Sequence, residues 1–154
     1  MQLENILSPD RCFARLDGGS KKRFLTTISE RLTQSCPQLS SDAVYTALLA
    51  REQLGSTGIG NGIAIPHCRV SECNRIIGAL ITLEDGIDFD ANDNQAVDLL
   101  FVLIVPMEET DEHLKVLGGL ARMFHEDAFC QTLRETSSGQ ELYEQAIHFS
   151  GQQN

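Results

Sequence analysis

The sequence predicts an α/β fold: a three-layer α/β/α sandwich whose central mixed sheet of four to five strands is flanked by helices. Segments 76–83 and 97–105 are rich in β-branched and aliphatic residues. The second is apolar at almost every position, which is typical of a strand buried on both faces. The segments before and after this centre carry apolar residues at helical spacing. Helices on either side of buried strands indicate layers packed on a central sheet.

Three elements are predicted before the centre. Residues 2–7 alternate weakly between apolar and polar, so we expect a short strand or an extended arm there. Over 20–35 apolar side chains recur at helical spacing, which predicts an amphipathic helix. A second helix is predicted to begin with Ser40 or Ser41 as its cap and to end at Gly55.

The second half of the chain alternates between polar and helical segments. Residues 84–94 are polar and predict a turn-rich connection that contains a short strand at 87–89. After Pro106 helical spacing returns and predicts a helix with one apolar face, formed by Leu114, Leu117, Leu120, Ala121 and Phe124. Two shorter helices are predicted over 128–134 and 139–149.

Size and composition limit the class of protein. With 154 residues, 42% of them hydrophobic, the chain is expected to form one domain over 1–154 with its own core. No apolar stretch approaches the roughly 18 residues of a membrane span, and residues 1–10 lack the pattern of a secretory signal. We therefore expect a cytoplasmic protein without membrane insertion. Its five cysteines are odd in number and scattered, so reduced thiols are expected rather than a disulfide framework.

The charge balance argues against nucleic acid as a partner. The chain carries 12 basic and 22 acidic side chains, for a formal net charge of −10, which repels a polyanion unless a basic patch overcomes it. One basic cluster, residues 21–23, lies at the start of a predicted helix, where a solvated helix face explains it. A protein partner with a basic docking surface fits the acidity, although solubility alone also explains it.

The most informative segment is 55–68, with the sequence GSTGIGNGIAIPHC. Four glycines in eight residues free the backbone, so that successive N–H groups can point at one anion. Two small hydroxyl side chains add further donors. The segment therefore offers these candidate phosphate-binding residues: Ser56, Thr57, Gly58 and Gly60.

The histidine near the end of this segment, His67, lies in a setting that favours phosphoryl chemistry. Residues 63–65 are predicted as a short strand, and Pro66 should bring His67 out at the strand end, with its imidazole at a rim. Arg51 lies shortly upstream. A phosphoryl site needs hydrogen-bond donors, a permanent cation and a nucleophile that is unprotonated near neutral pH. The Gly-Lys-Ser/Thr and GxGxxG signatures of nucleotide sites are absent, which disfavours nucleotide binding.

These residues also resemble a known family. Glu52, then Ile59 and Gly60, then IAIPHC at 63–68 are similar to the phosphohistidine signature of the type-2 (fructose- and mannitol-class) enzyme IIA domains of the bacterial phosphoenolpyruvate:sugar phosphotransferase system. The sequence GSTGIGNGIAIPH at 55–67 resembles the nitrogen-related branch, enzyme IIA-Ntr, more closely still. The resemblance spans essentially the whole chain. Cys68 departs from the family, in which glycine is commoner at this position, but the added bulk is small.

The resemblance implies a role for each of three residues. His67 matches the histidine that is phosphorylated on Nε2, Arg51 matches the arginine that neutralises the phosphoryl group, and His113 matches a second active-site histidine that holds the phosphate. The residues themselves agree about His113. Thr110 is a good helix cap, which places His113 in the first turn, where unpaired N–H groups and the helix dipole attract an anion. Such transfer depends on positioning and charge, so no metal or cofactor is expected.

The resemblance also implies partners. The chain is expected to accept a phosphoryl group from a histidine phosphocarrier protein, HPr- or NPr-like, and to regulate other proteins, such as potassium transporters or sensor kinases, by its phosphorylation state. One alternative is a sugar-transport component that passes phosphate to a IIB domain for fructose or mannitol. Another is a binding domain without transfer, although the set of Arg51, His67 and His113 argues against it.

Other clusters have simpler explanations. His67, Cys68 and Cys73 resemble part of a zinc site, but the sequence offers no clean fourth ligand, so structural thiols are expected. The acidic run at 84–94 lacks the ligand order of a calcium-binding EF-hand loop. Outside these segments, His125 and His148 fall on predicted helices in polar company and are expected at the surface.

Overall fold

The computed structural model describes residues 2–108 and 110–153, and within them six strands form one mixed sheet. The strands are β1 (Cys12–Leu16), β2 (Gly58–Gly60), β3 (Ile63–Ala64), β4 (His67–Arg69), β5 (Ile77–Ile87) and β6 (Val97–Val105). The helices are α1 (Lys21–Ser35), α2 (Ser41–Leu54), α3 (Asp111–Phe124), α4 (Asp127–Arg134) and α5 (Gly139–Gln153). Two short 3-10 helices, Leu3–Asn5 and Pro9–Arg11, precede β1.

The sheet is built around β6. This strand pairs antiparallel with β5 and parallel with both β3 and β4, and all of its residues except Asp98 are buried. One face of the sheet packs on α1 and α2, whose Phe24 and Leu48 are fully buried. The other face packs on α3, α4 and α5 through residues such as Leu120 and Leu142. Helices cover both faces of the sheet, so the predicted three-layer α/β/α sandwich is confirmed. The apolar residues on both faces of β6 are what a strand between two layers requires.

The sheet has six strands rather than four to five, and β1, β2 and β4 were not predicted. Strands β2 and β4 are three residues long, too short to produce a recognisable period. In β1 the register shifts between Phe13 and Leu16, and Arg15 adopts a φ of +56° at this irregularity. A bulge of this kind moves side chains out of strict alternation, so the sequence of β1 does not resemble a strand.

Two local predictions were wrong. Residues 2–7 form neither a strand nor an extended arm, since Leu3–Asn5 is a 3-10 helix. Leu3, Ile6 and Leu7 are all buried, and their spacing is that of a helical turn. The separate short strand expected at 87–89 is instead the end of β5, which continues to Ile87. Phe89 beyond it is buried in the core against α1.

The predicted starts of α1 and α2 are confirmed, and each helix is capped by a serine side chain. The Ser20 hydroxyl accepts a hydrogen bond from the Arg23 N–H, and the Ser40 hydroxyl accepts one from the Ala43 N–H. Helix α3 begins after Thr110 as expected, but the Thr110 side chain makes no capping hydrogen bond. Within 2–108 and 110–153, no helix is both long and apolar enough to cross a bilayer.

Candidate active site

His67 begins β4, at the point where pairing with β6 resumes after Pro66. The Leu103 N–H donates to the Pro66 carbonyl at 2.9 Å, and His67 itself is aligned with Leu103. The imidazole is half-buried, and its Nδ1 lies 2.8 Å from the carbonyl oxygen of Ile65. Because a carbonyl oxygen only accepts, Nδ1 carries the hydrogen and Nε2 carries a lone pair.

Arg51, in the last turn of α2, places its guanidinium beside this ring. Its Nε lies 3.4 Å from Nε2 of His67. Its Nη1 donates to the carbonyl of Gly55, the residue that ends α2, at 3.0 Å. The side chain is therefore held at both ends of the guanidinium. Because this group is permanently charged, a cation lies directly next to the free lone pair of His67.

His113 approaches the same place from the other helical layer. It lies in the first turn of α3, where its N–H donates to the Thr110 carbonyl at 3.2 Å, and it is only 8% exposed. Its Nδ1 is fully buried and has no hydrogen-bond partner among the residues that the structure describes. A ligand can therefore meet this ring only at Nε2. With the hydrogen on Nε2, the buried nitrogen is an unprotonated acceptor, and no N–H is buried without a partner.

Arg51, His67 and His113 line one cavity of about 520 Å³. The cavity lies where α2 and α3 meet around β4, and most of its other lining is apolar. Leu54 and Leu114 belong to this lining and are 85% and 60% exposed. Exposed leucines around a polar centre are typical of a surface that another protein covers.

Residues 55–62, the glycine-rich part of segment 55–68, do not line this cavity, although the sequence led us to expect them there. The Thr57 N–H and hydroxyl both donate to the carboxylate of Glu52, and the Ser56 hydroxyl donates to the Phe89 carbonyl at 2.7 Å. The glycines of β2 are paired with β3. The expected donors of Ser56, Thr57 and Gly58 are thus used inside the protein, since the Gly58 N–H also donates to the Ser56 hydroxyl at 3.1 Å. Gly60 is aligned with Ile63 of β3.

Glu52 was identified from the sequence only as a position of the family signature, and the structure shows that it is a buried, paired carboxylate. It is 6% exposed, and its Oε1 lies 3.0 Å from Nζ of Lys21 on α1. Sequence reasoning assigned Lys21 to a solvated helix face, but its side chain is only 16% exposed. The pairing brings together two helices separated by a loop, so helical spacing alone carries no signal for it.

The cysteines are buried free thiols. Cys68 faces the core rather than the imidazole beside it in sequence, and Cys73 lies in the same core cluster. Burial raises the pKa of the Cys68 thiol to about 12, so it is protonated at neutral pH. His125 and His148 are exposed, as predicted.

Known proteins share both this fold and this sequence. Residues 5–148 match the family model for the phosphoenolpyruvate-dependent sugar phosphotransferase system, EIIA 2. A nitrogen regulatory protein of Pseudomonas aeruginosa is 44% identical over 94% of this chain and 94% of its own length. The crystal structure of the nitrogen regulatory protein IIA-Ntr from Neisseria meningitidis matches with a TM-score of 0.86 at 38% identity, covering 96% of this chain and 99% of that one. The IIA mannitol structure from Escherichia coli matches at a TM-score of 0.75 and 21% identity, covering 90% and 97%.

The chain therefore belongs to the type-2 enzyme IIA family of the phosphotransferase system. Within this family of phosphocarriers it is similar to the nitrogen regulatory proteins, the IIA-Ntr branch. The resemblance that the sequence showed at 52–68 is thereby confirmed over nearly the whole chain.

Proposed function

We propose that the chain accepts a phosphoryl group on Nε2 of His67 and regulates other proteins by its phosphorylation state. The observation that carries this proposal is the lone pair of Nε2, which faces the cavity of Arg51 and His113 and lies 3.4 Å from Nε of Arg51. The regulatory part is supported by the similarity to proteins named nitrogen regulatory protein.

The donor is a phosphohistidine on a histidine phosphocarrier protein, HPr- or NPr-like. Nε2 of His67 attacks the phosphorus, the N–P bond to the donor imidazole breaks, and that imidazole leaves with the bonding electron pair. One N–P bond forms as another breaks, so the step consumes no water. The bond from Nδ1–H to the Ile65 carbonyl holds the ring in the reactive tautomer and stabilises the positive charge that develops on it.

Arg51 and His113 hold the phosphoryl oxygens. As the new bond forms, the guanidinium exchanges its contact with the Nε2 lone pair for the oxygens of the phosphoryl group that is now attached to that nitrogen. The Nε2–H of His113 donates to the same group from the opposite side of the cavity. Donors already fixed in place stabilise the transition state because they need no reorganisation during the reaction.

The exposed leucines at the cavity, Leu54 and Leu114, form an apolar rim that supports a protein as the donor. A small phosphorylated metabolite would leave Leu54 and Leu114 in water, whereas a docked protein covers them. We place the reaction in the cytoplasm. Regulated partners of the kind that the family resemblance implies are potassium transporters and sensor kinases. No metal, cofactor, nucleic acid or membrane insertion enters the proposal.

The proposal is tested by phosphorylation from phosphoenolpyruvate with the upstream carriers of both the nitrogen-related and the sugar systems. We expect an acid-labile gain of about 80 Da, the mass of one phosphoryl unit, in the wild type and none in His67→Ala. Label uptake by the His67→Ala protein would refute the assignment. Adding a IIB domain with fructose or mannitol separates the alternative, because rapid loss of label with sugar phosphorylation would show a transport component instead.

A further inference from the structure

A carboxylate that sequence analysis left without a role lies behind the active site. The side chain of Glu52 is 2% exposed. Its Oε1 lies 3.0 Å from Nζ of Lys21 and accepts the Thr57 N–H at 3.1 Å, while its Oε2 accepts the Thr57 hydroxyl. Burying a charged carboxylate is costly unless it is paired and hydrogen-bonded. Here both oxygens are engaged, so the backbone of Thr57 is firmly fixed.

Backbone hydrogen bonds continue from Thr57 to the imidazole of His67. The Ile65 N–H donates to the Thr57 carbonyl at 3.1 Å. The Ile65 carbonyl in turn accepts from Nδ1 of His67 at 2.8 Å. The residue that is anchored to Glu52 thus supports, through its carbonyl, the residue whose own carbonyl selects the tautomer and orientation of the ring.

A second branch reaches Arg51 from the same residue. The backbone carbonyl of Glu52 accepts the Gly55 N–H at 3.1 Å, and the Gly55 carbonyl accepts Nη1 of Arg51 at 3.0 Å. This branch uses the main chain of Glu52 and not its carboxylate, so it places Arg51 in the same turn but does not depend on the Glu52 side chain.

Lys21 keeps this buried carboxylate paired with a cation. Its Nζ lies 3.3 Å from the Phe89 carbonyl oxygen and 4.6 Å from the centroid of the Phe89 ring, besides its contact with Glu52. Nζ also lies 3.4 Å from Oδ2 of Asp90, but that side chain is 74% exposed, so water screens this second contact far more than the buried one with Glu52. An unpaired carboxylate at the position after Arg51 would oppose the cation that a phosphoryl dianion needs. With Lys21 in place, the pair is neutral and the charge of Arg51 remains available.

We infer that Glu52, neutralised by Lys21, is a positioning residue for phosphoryl transfer: its carboxylate holds Thr57, and Thr57 supports the Ile65 carbonyl that selects the tautomer of His67. The inference rests on the proposed role of His67 as the phosphoryl acceptor. Thr57, first considered a phosphate ligand, acts in it as the link between the carboxylate and the ring.

The first test replaces the carboxylate by an amide of the same shape, Glu52→Gln. The amide is uncharged and has one acceptor oxygen instead of two, so it loses the ion pair with Lys21 and cannot accept from the Thr57 N–H and the Thr57 hydroxyl with separate oxygens. We expect the maximal rate of transfer from a phosphorylated carrier to fall by about 10-fold to 100-fold, the scale for small misplacements of reacting groups. The KM for the carrier should stay within about twofold of the wild-type value, because the docking surface is unchanged. Long-range ¹H–¹⁵N spectra should show one His67 tautomer in the wild type and a mixture in Glu52→Gln.

A second pair of variants keeps the inference testable if Glu52→Gln does not fold. Thr57→Val removes only the hydroxyl, whereas Thr57→Ser keeps it; Val should lower the maximal rate and Ser should restore it. The matched control is Asp98→Asn, which breaks the 3.0 Å ion pair with Arg134. Asp98 is five residues along β6 from Leu103, roughly 16 Å from the position beside His67, so this variant should keep the wild-type rate and tautomer.

The outcomes separate this inference from the proposed function. Folded Glu52→Gln and Thr57→Val proteins with wild-type rates and a single His67 tautomer would overturn the positioning role. A loss of rate matched by Asp98→Asn would overturn it as well, because a general loss of stability would then suffice. If wild-type His67 takes up no phosphoryl group, the proposed function fails, but the tautomer comparison needs no phosphate and still tests the positioning.

Discussion

The free lone pair of His67 and the guanidinium of Arg51 meet through one contact of 3.4 Å between Nε2 and Nε. The proposed transfer depends on this pair, because in it Nε2 forms the new bond and Nε meets the charge that arrives with the phosphoryl group. The contact is set by residues close in sequence, since Arg51 bonds to Gly55 and His67 bonds to Ile65. Local backbone geometry therefore prepares the site before any partner binds.

Removing the guanidinium should slow transfer without abolishing it. We expect Arg51→Ala to lower the rate of phosphoryl uptake by about 10² to 10³, the scale for losing one preorganised donor. Arg51→Lys should recover part of that loss, because lysine restores the charge but not the planar guanidinium with its several N–H donors. Single-turnover transfer from a phosphorylated carrier measures both, and a wild-type rate in Arg51→Ala would remove this residue from the mechanism.

Two amide substitutions distinguish the nitrogens of His113. The amide of Gln lies near the position of the histidine Nε2, and the amide of Asn lies near that of Nδ1. Because Nδ1 is buried without a partner in the described part of the chain, we expect His113→Gln to keep transfer within about 10-fold of the wild type and His113→Asn to resemble His113→Ala. The same transfer assay ranks the three variants. Equal rates in the Gln and Asn variants would contradict the assignment of Nε2.

At the scale of elements, the helix starts are local and can be tested independently of function. The Ser40 hydroxyl caps α2 by accepting the Ala43 N–H at 3.3 Å. We expect Ser40→Ala to lower the free energy of unfolding by about 1 kcal/mol, as measured by urea denaturation. Transfer by the folded protein should not change, because α2 presents Arg51 from its other end. Ser40→Asp, which keeps a capping oxygen, should retain the stability.

The predictable elements were those whose pattern extends over several turns or strand residues. The apolar run of β6 and the periods of α1 and α3 gave the layers correctly, because each buries a continuous face. The strands β2 and β4 could not be predicted, since they exist through pairing with β3 and β6 rather than through any period of their own. The 3-10 turn at Leu3–Asn5 was mistaken for a strand because the segment is too short to separate the two periods.

The candidate site was only partly predictable for a related reason. His67, Arg51 and His113 were identified from motif and helix position, and the structure brings them together in one cavity. The hydroxyls of Ser56 and Thr57 were also expected there, but the sequence did not show that Phe89 and Glu52 take up their hydrogen bonds. The sequence does not show which group a hydrogen-bond donor binds when its partner lies in another element.

For the molecule as a whole, charge and an apolar rim define how partners approach. The chain has a net charge of −10, yet its site presents Arg51 between the exposed Leu54 and Leu114. Phosphorylation adds about 1.5 to 2 negative charges at this centre. A partner that binds the unmodified rim through apolar contacts and basic side chains then meets a different charge at the centre of its interface. This change in charge is a physical basis for regulation by phosphorylation state.

The rim should affect docking more than chemistry. We expect Leu114→Glu to raise the KM for the phosphorylated carrier by about 10-fold or more, since it places a charge in the middle of an apolar contact. The maximal rate should remain near the wild-type value. Steady-state transfer kinetics at varied carrier concentration separate the two parameters, with Leu114→Met as the matched apolar control. An unchanged KM would show that the carrier docks elsewhere.

The central claim is that Nε2 of His67 receives the phosphoryl group, and the most direct measurement is NMR of the phosphorylated, ¹⁵N-labelled protein. We predict a single phosphohistidine whose ³¹P–¹⁵N coupling and ring shifts place the phosphorus on Nε2 of His67, with Nδ1 still protonated and bonded to the Ile65 carbonyl. Phosphorus on Nδ1 of that ring, on His113 or on any other side chain would contradict the account.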